Sequence, residues 1–281
     1  MAAKRVLFLS CLTLLALARV PAMALDSYVP LLDQGFRFMY NLEFESAQRQ
    51  FGDYQREHPE DPLGPVSEAA GCLFSELNRL GILQAQMFVK DSTWMSRTKL
   101  TPDPVIRDRF YASIMRAQQL ADKRLKGDAN DQGALFAATL TAGLNSDYAA
   151  LIEKKNVASL TYTRQATEMA QRLLKVCPDC YDAYVATGIS QYLIGSLSAP
   201  FRWMLRLGGF SGDKQKGISE LQLAADKGHY LAPFARMLLA IAYLREKQPD
   251  QARVLLAGLR ADFPGNTLFA HELARLDSAQ P

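Results

Sequence analysis

Small and bulky apolar residues recur along the chain at helical spacing, in runs that come in pairs. Between Tyr28 and Asp61, the residues Leu31, Gly35, Phe38, Ala47, Phe51, Tyr54 and Pro59 fall at relative positions 4, 8, 11, 20, 24, 27 and 32. This pattern predicts two antiparallel helices that interlock closely. Gly35 and Ala47 are small where one helix crosses the other, Phe38 and Phe51 fill the gaps, and Pro59 ends the second helix because it has no amide to continue the ladder.

The register returns four more times. In residues 62–131, Ala69 and Cys72 sit in a helix over about 65–80, and Ala117 and Ala121 in one over about 104–126. In 132–180, Leu135 and Ala138 lie in a helix running to about Lys154, and Ala166 and Ala170 in its partner, which ends at Pro178. In 181–232, Tyr184 and Gly188 precede a segment through Gly212, then a helix over about 213–228. In 233–266, Ala240, Tyr243, Ala252, Leu256, Leu259 and Pro264 reproduce positions 8, 11, 20, 24, 27 and 32. Asn266 then caps a last helix within 267–276, which covers the open end of the stack.

The spacing resembles the tetratricopeptide (TPR) repeat. The resemblance covers nearly the whole chain after residue 24, closely at both ends and loosely between. Position 4 is never tryptophan, and Gln34 stands where leucine is usual. The resemblance implies an all-α, right-handed solenoid of about five helical hairpins, with inserts between the helices of repeats 2, 3 and 4. It also implies a concave face lined by first helices that binds peptide segments.

The positions that face such a groove are apolar here, where peptide-binding members are usually polar. They include Phe36, Met39, Tyr40, Phe74, Phe136, Leu140, Ile189, Tyr192, Met237 and Ile241. An apolar groove of this extent cannot stay open to water without inviting association. Either the chain's own inserts fold into it, or an apolar peptide, a lipid-like ligand or another subunit occupies it. Both tryptophans lie in inserts, Trp94 in residues 81–97 and Trp203 in 197–210. The second insert also carries Phe201, Arg202, Met204, Leu205, Arg206 and Leu207. As a basic, aromatic, amphipathic stretch it has the make-up of a membrane-surface segment, but packing into the groove as a lid is the favoured expectation.

Residues 1–24 have the form of a secretory signal: Lys4 and Arg5, an apolar run over 6–18, and Ala22-Met23-Ala24 as a small-x-small cleavage site. An exported location, periplasmic or extracellular, is therefore expected. Ser10-Cys11 is a poor lipobox because the apolar run continues past it. The chain carries 32 Lys and Arg against 29 Asp and Glu. Three of those basic residues and no acidic ones lie in the leader, so the remainder is formally neutral and nothing favours a nucleic-acid partner.

Cys177-Pro178-Asp179-Cys180 falls at the turn between the third and fourth repeats. Its spacing suits a disulfide, a redox pair or half a zinc site. The other zinc ligands are missing, a thioredoxin-like βαβ context is absent, and an exported chain oxidises such a pair, so a disulfide is expected. HExxH, GxxxxGK[ST] and GxGxxG after a strand are all absent from the sequence, and Gly209-Phe210-Ser211-Gly212-Asp213 misses a GxSxG elbow by its last residue. The reading is a non-enzymatic exported scaffold without a cofactor, binding a protein or apolar segment on its concave face. The alternative is a carrier of a small hydrophobic solute or lipid, associated with a transport system.

Overall fold

The computed structural model describes residues 29–83 and 100–278, and every regular element among them is helical. Helices α1 (Pro30–Tyr40) and α2 (Phe44–Glu57) form a first hairpin, and α3 (Leu63–Arg79) and α4 (Pro104–Gly127) a second. The third pairs α5 (Gln132–Asp147) with α6 (Asn156–Val176). The fourth pairs α7 (Tyr184–Ser196) with α9 (Lys214–Lys227), and the short α8 (Ala199–Leu207) stands between them. A fifth pairs α10 (Ala232–Arg245) with α11 (Pro249–Asp262), and α12 (Thr267–Ser278) follows.

Turn chemistry sets these boundaries. Asp103 accepts from the amides of Val105 and Ile106 at the start of α4, and Asp131 from Ala134 at the start of α5. Asp213 and Asn266 do the same for α9 and α12. Each such cap is worth about 1 kcal/mol. Asp131 also holds Arg124 through two hydrogen bonds of 2.9 and 3.0 Å, which ties the end of α4 to the start of α5. Helix α3 starts at Leu63 rather than near 65, because Pro65 falls in its first turn, where a missing amide costs nothing. Helix α5 runs on into a π-helical turn, Tyr148–Glu153, which stops at Lys154 in the left-handed conformation (φ 57°).

Small residues let the helices approach. A methyl group added at Gly35 would lie 2.3 Å from the ring of Phe51, so this glycine admits the bulky side chain of α2. The α7–α9 pair is closer still, because backbone meets backbone. A methyl at Gly217 would stand 2.4 Å from the nitrogen of Tyr192, and one at Gly195 would stand 2.3 Å from that of Lys214. The segment between α3 and α4 is clamped at its base by Glu76, whose fully buried carboxylate binds Arg79 and accepts from the amide of Asp103 at 2.7 Å.

The two ends of the stack meet. The hydroxyl of Tyr40 in α1 donates to the carbonyl of Tyr230, before α10, at 2.9 Å. The side-chain amide of Asn266 donates to the Tyr40 carbonyl, and the amide of Gly265 donates to Asn41 Oδ1. Asp33 meets the His229 ring at 2.5 Å. Asp182 fixes the turn that reaches α1 by accepting from the amides of His229, Tyr230 and Leu231. One hydrophobic core therefore runs through the first, second, third and fifth hairpins, and a smaller cluster of Val185, Ala224 and Ala235 joins the fourth hairpin to the fifth.

Candidate functional site

Two places qualify as sites: the inner face of the stack and the insert of the fourth hairpin. The inner face is lined as expected but is not open. Phe36, Met39, Tyr40, Phe136 and Tyr192 are buried, and Phe74, Leu140, Ile189, Met237 and Ile241 are half-buried; none of the ten is exposed.

Aromatic rings from opposite sides fill the space. Phe36 lies 5.0 Å from Tyr230, Tyr40 5.6 Å from Phe263, and Phe74 5.6 Å from Phe234, measured between ring centroids. Phe36 also meets Phe51 edge-on at 5.4 Å. Tyr192 directs its hydroxyl to the carbonyl of Ala242 in α10 and to the carboxylate of Glu246. Burial pushes the Tyr40 and Tyr230 hydroxyls far above their usual titration range.

The inner face is thus core, as the self-filling alternative has it, but residues of the stack's own helices and turns fill it and α8 does not. The physical reason is curvature: the first and fifth hairpins come into contact, so the first helices bury their apolar faces against one another. Tyr230 and Phe263 are fillers that the repeat register did not single out. They sit in turns, beside Gly228 and Pro264, where repeat positions carry no expectation.

The insert is corrected in the opposite sense. Helix α8 does not fold into the groove as a lid. Phe201, Trp203, Met204 and Leu207 are between 55% and 71% exposed, and no side chain of α8 is buried. Two arginines hold it outward. Arg202 donates to the carbonyl of Gly195 at 3.1 Å. Arg164 of α6 donates to the carbonyl of Gly208 at 2.7 Å, and its guanidinium lies over the ring of Phe210 at 4.7 Å. Arg206 is exposed and makes no ion pair among the described residues. Gly209 (φ 82°) supplies the left-handed turn that ends the insert. Trp94 lies outside the described residues.

Neither remaining feature forms an apolar chamber. A cleft of about 380 Å³ is lined by His58, Pro59, Glu60, Asp61, Lys123 and Arg124, and one of about 250 Å³ chiefly by polar side chains of α6, α7 and α9. Cys177 and Cys180 are joined by a disulfide in the turn after α6, with Cα atoms 5.4 Å apart. Cys72 is a buried thiol, pushed up to about 11 by burial. Among the described residues, no three His, Cys, Asp or Glu side chains converge as metal ligands.

No protein-family model matches the chain, and no curated protein does. Among solved structures it is similar to the crystal structure of TTC0263, a thermophilic TPR protein of Thermus thermophilus. That similarity has a TM-score of 0.45 and 14% identity over 88% of this chain and 96% of that one. With its helices paired and packed in succession, and close glycine crossings in the first and fourth pairs, the described chain is an all-α stack of helical hairpins.

Proposed function

We propose that this chain is a non-enzymatic, exported scaffold that holds a partner on the platform formed by α8, not in its concave face. The observation that carries the reading is the contrast in burial. The apolar residues expected to bind are packed within the stack, while Phe201, Arg202, Trp203 and Arg206 of the expected lid stand in solvent. A cluster of exposed large apolar side chains on a helix fixed outward by two arginine hydrogen bonds is a feature that needs an occupant. The signal-like residues 1–24 support export.

The test is photocrosslinking in the cell of origin. A benzophenone side chain is placed at position 203, and for comparison at Val254, which is equally exposed but stands alone on α11. Adducts at 203 and none at 254 are expected. Equal yields at both, or none at either, would refute the platform.

A further inference from the structure

The exposed platform extends beyond α8. Leu193 and Leu197, at the end of α7 and in the approach to α8, are exposed, as are Val157 and Leu160 on α6. Those two share a helix face with Arg164, the residue that grips Gly208 at the far end of α8. Around α8, at about 100° per residue, the order of side chains is Arg206, Trp203, Leu207, Pro200, Met204, Phe201, Leu205, Arg202. One unbroken apolar arc therefore runs from Trp203 to Leu205, and Arg202 and Arg206, about 40° apart, form the one cationic stripe that closes the circle. Residues 197–212 contain no aspartate or glutamate. Leu205, the half-buried member of the arc, marks the side turned to the body of the protein.

An apolar arc bordered by cations and lacking any local anion complements one kind of surface especially well, the interface of an anionic bilayer. Arginine stems lie along apolar surface while their heads reach the phosphates, and tryptophan favours the same depth. No described helix is long and apolar enough to cross a membrane. From this charge complementarity we infer that α8 seats the protein on an anionic lipid surface. Phe201, Trp203, Met204 and Leu207 enter the boundary between headgroups and acyl chains, and Arg202 and Arg206 face headgroup phosphates. Arg202 spends one N–H on Gly195 and keeps the others for lipid. The inference rests on the reading of α8 as the docking platform.

Vesicle flotation tests it, using protein purified from a secreting host with its N-terminus read by mass spectrometry. Vesicles are of phosphatidylcholine alone or with phosphatidylglycerol. A Trp94→Phe background leaves Trp203 as the sole tryptophan. The expected result is flotation with the anionic vesicles, a blue shift of Trp203 emission, and loss of both in Phe201→Glu/Trp203→Glu. Replacing Arg202 and Arg206 by glutamine should weaken binding about fivefold each. Because α8 buries no side chain, these variants should keep the helical circular dichroism of the parent.

Equal flotation on neutral vesicles, or an unchanged Glu variant, would overturn the inference. So would failure of the parent to float. In that last case, protein adducts at position 203 in the crosslinking experiment would leave the platform standing with a protein occupant. Absence of adducts would remove both readings.

Discussion

The closest backbone-to-backbone glycine crossing among the described residues makes a prediction whose sign is informative. Gly217 of α9 faces the backbone of α7, and an added methyl would lie 2.4 Å from the nitrogen of Tyr192 and 2.7 Å from the carbonyl oxygen of Gly188. Ordinary contact begins near 3.4 Å, so the helices would have to part by about 1 Å. No flexible side chain can yield, because the atoms met are backbone. Gly188, Gly195 and Gly212 share the crossing, and their close contacts would open together. Overpacking of this kind costs about 1 to 3 kcal/mol, while the better helix propensity of alanine returns about 1 kcal/mol.

Gly217→Ala is therefore expected to destabilise by up to about 2 kcal/mol, a drop in Tm of several degrees. Gly143, inside α5, is the control, since nothing lies within 4 Å of its added methyl. Gly143→Ala keeps the propensity gain and should stabilise by about 0.5 to 1 kcal/mol. Urea unfolding followed by circular dichroism, with midpoint and slope fitted separately, distinguishes the two. If Gly217→Ala unfolded at the parent midpoint or above it with an unchanged slope, close backbone approach would not be what holds α7 to α9.

Further perturbations probe other contacts. Tyr40→Phe removes the buried hydrogen bond to Tyr230 and should cost about 1 to 2 kcal/mol by urea unfolding; Asn266→Ala, which loses both the α12 cap and the bond to Tyr40, should cost about 2 kcal/mol. Reducing the Cys177–Cys180 bond closes no long loop, so the loss should be ~2 kcal/mol or less. Thiol titration of the folded oxidised protein, with residues 1–24 removed, should find Cys72 unreactive until denaturant is added. Half-buried Asp147 has its carboxyl pushed up to about 7 by desolvation. The folded state then keeps a proton that the unfolded chain releases near pH 4, so this residue's contribution to stability falls as pH rises from about 4 to about 7. Asp147→Asn should remove that slope, so that it exceeds the parent in urea midpoint at pH 8 and matches it below pH 4; a variant less stable at pH 8 would contradict the assignment.

What could be read from sequence divides along the distance over which each contact acts. Gly35 and Phe51 are 16 positions apart within one hairpin, and their packing is written in local spacing. The caps at Asp131, Asp213 and Asn266 are likewise local. Closure of the stack joins Tyr40 to Tyr230 and Asn41 to Gly265, separations of 190 and 224 residues. It depends on small rotations accumulated over five hairpins, which no short pattern encodes. Phe36, Tyr40 and Phe136 were therefore legible as inward-facing, apolar and in need of cover, but not that Tyr230 and Phe263 would supply it. For α8 the amphipathic arc was legible. Its direction was not, because it is fixed by Arg164 from the preceding hairpin.

The same geometry decides where a partner can bind. Returning Phe36, Tyr40 and Phe136 to water would cost about 5 to 9 kcal/mol, at about 1.5 to 3 kcal/mol per large apolar side chain. Breaking the hydrogen bonds that join the ends adds about 1 kcal/mol each. That total rivals the whole stability of a typical domain, about 5 to 15 kcal/mol, and equals or exceeds the roughly 8 kcal/mol of a micromolar complex. A partner entering the inner face would have to supply all of it before showing any net affinity. At α8 no such opening is needed, because Phe201, Trp203, Met204 and Leu207 already stand in solvent on a helix held at both ends. Every apolar contact made there counts toward binding from the first, so the filled interior favours the outer insert as the place for the proposed partner.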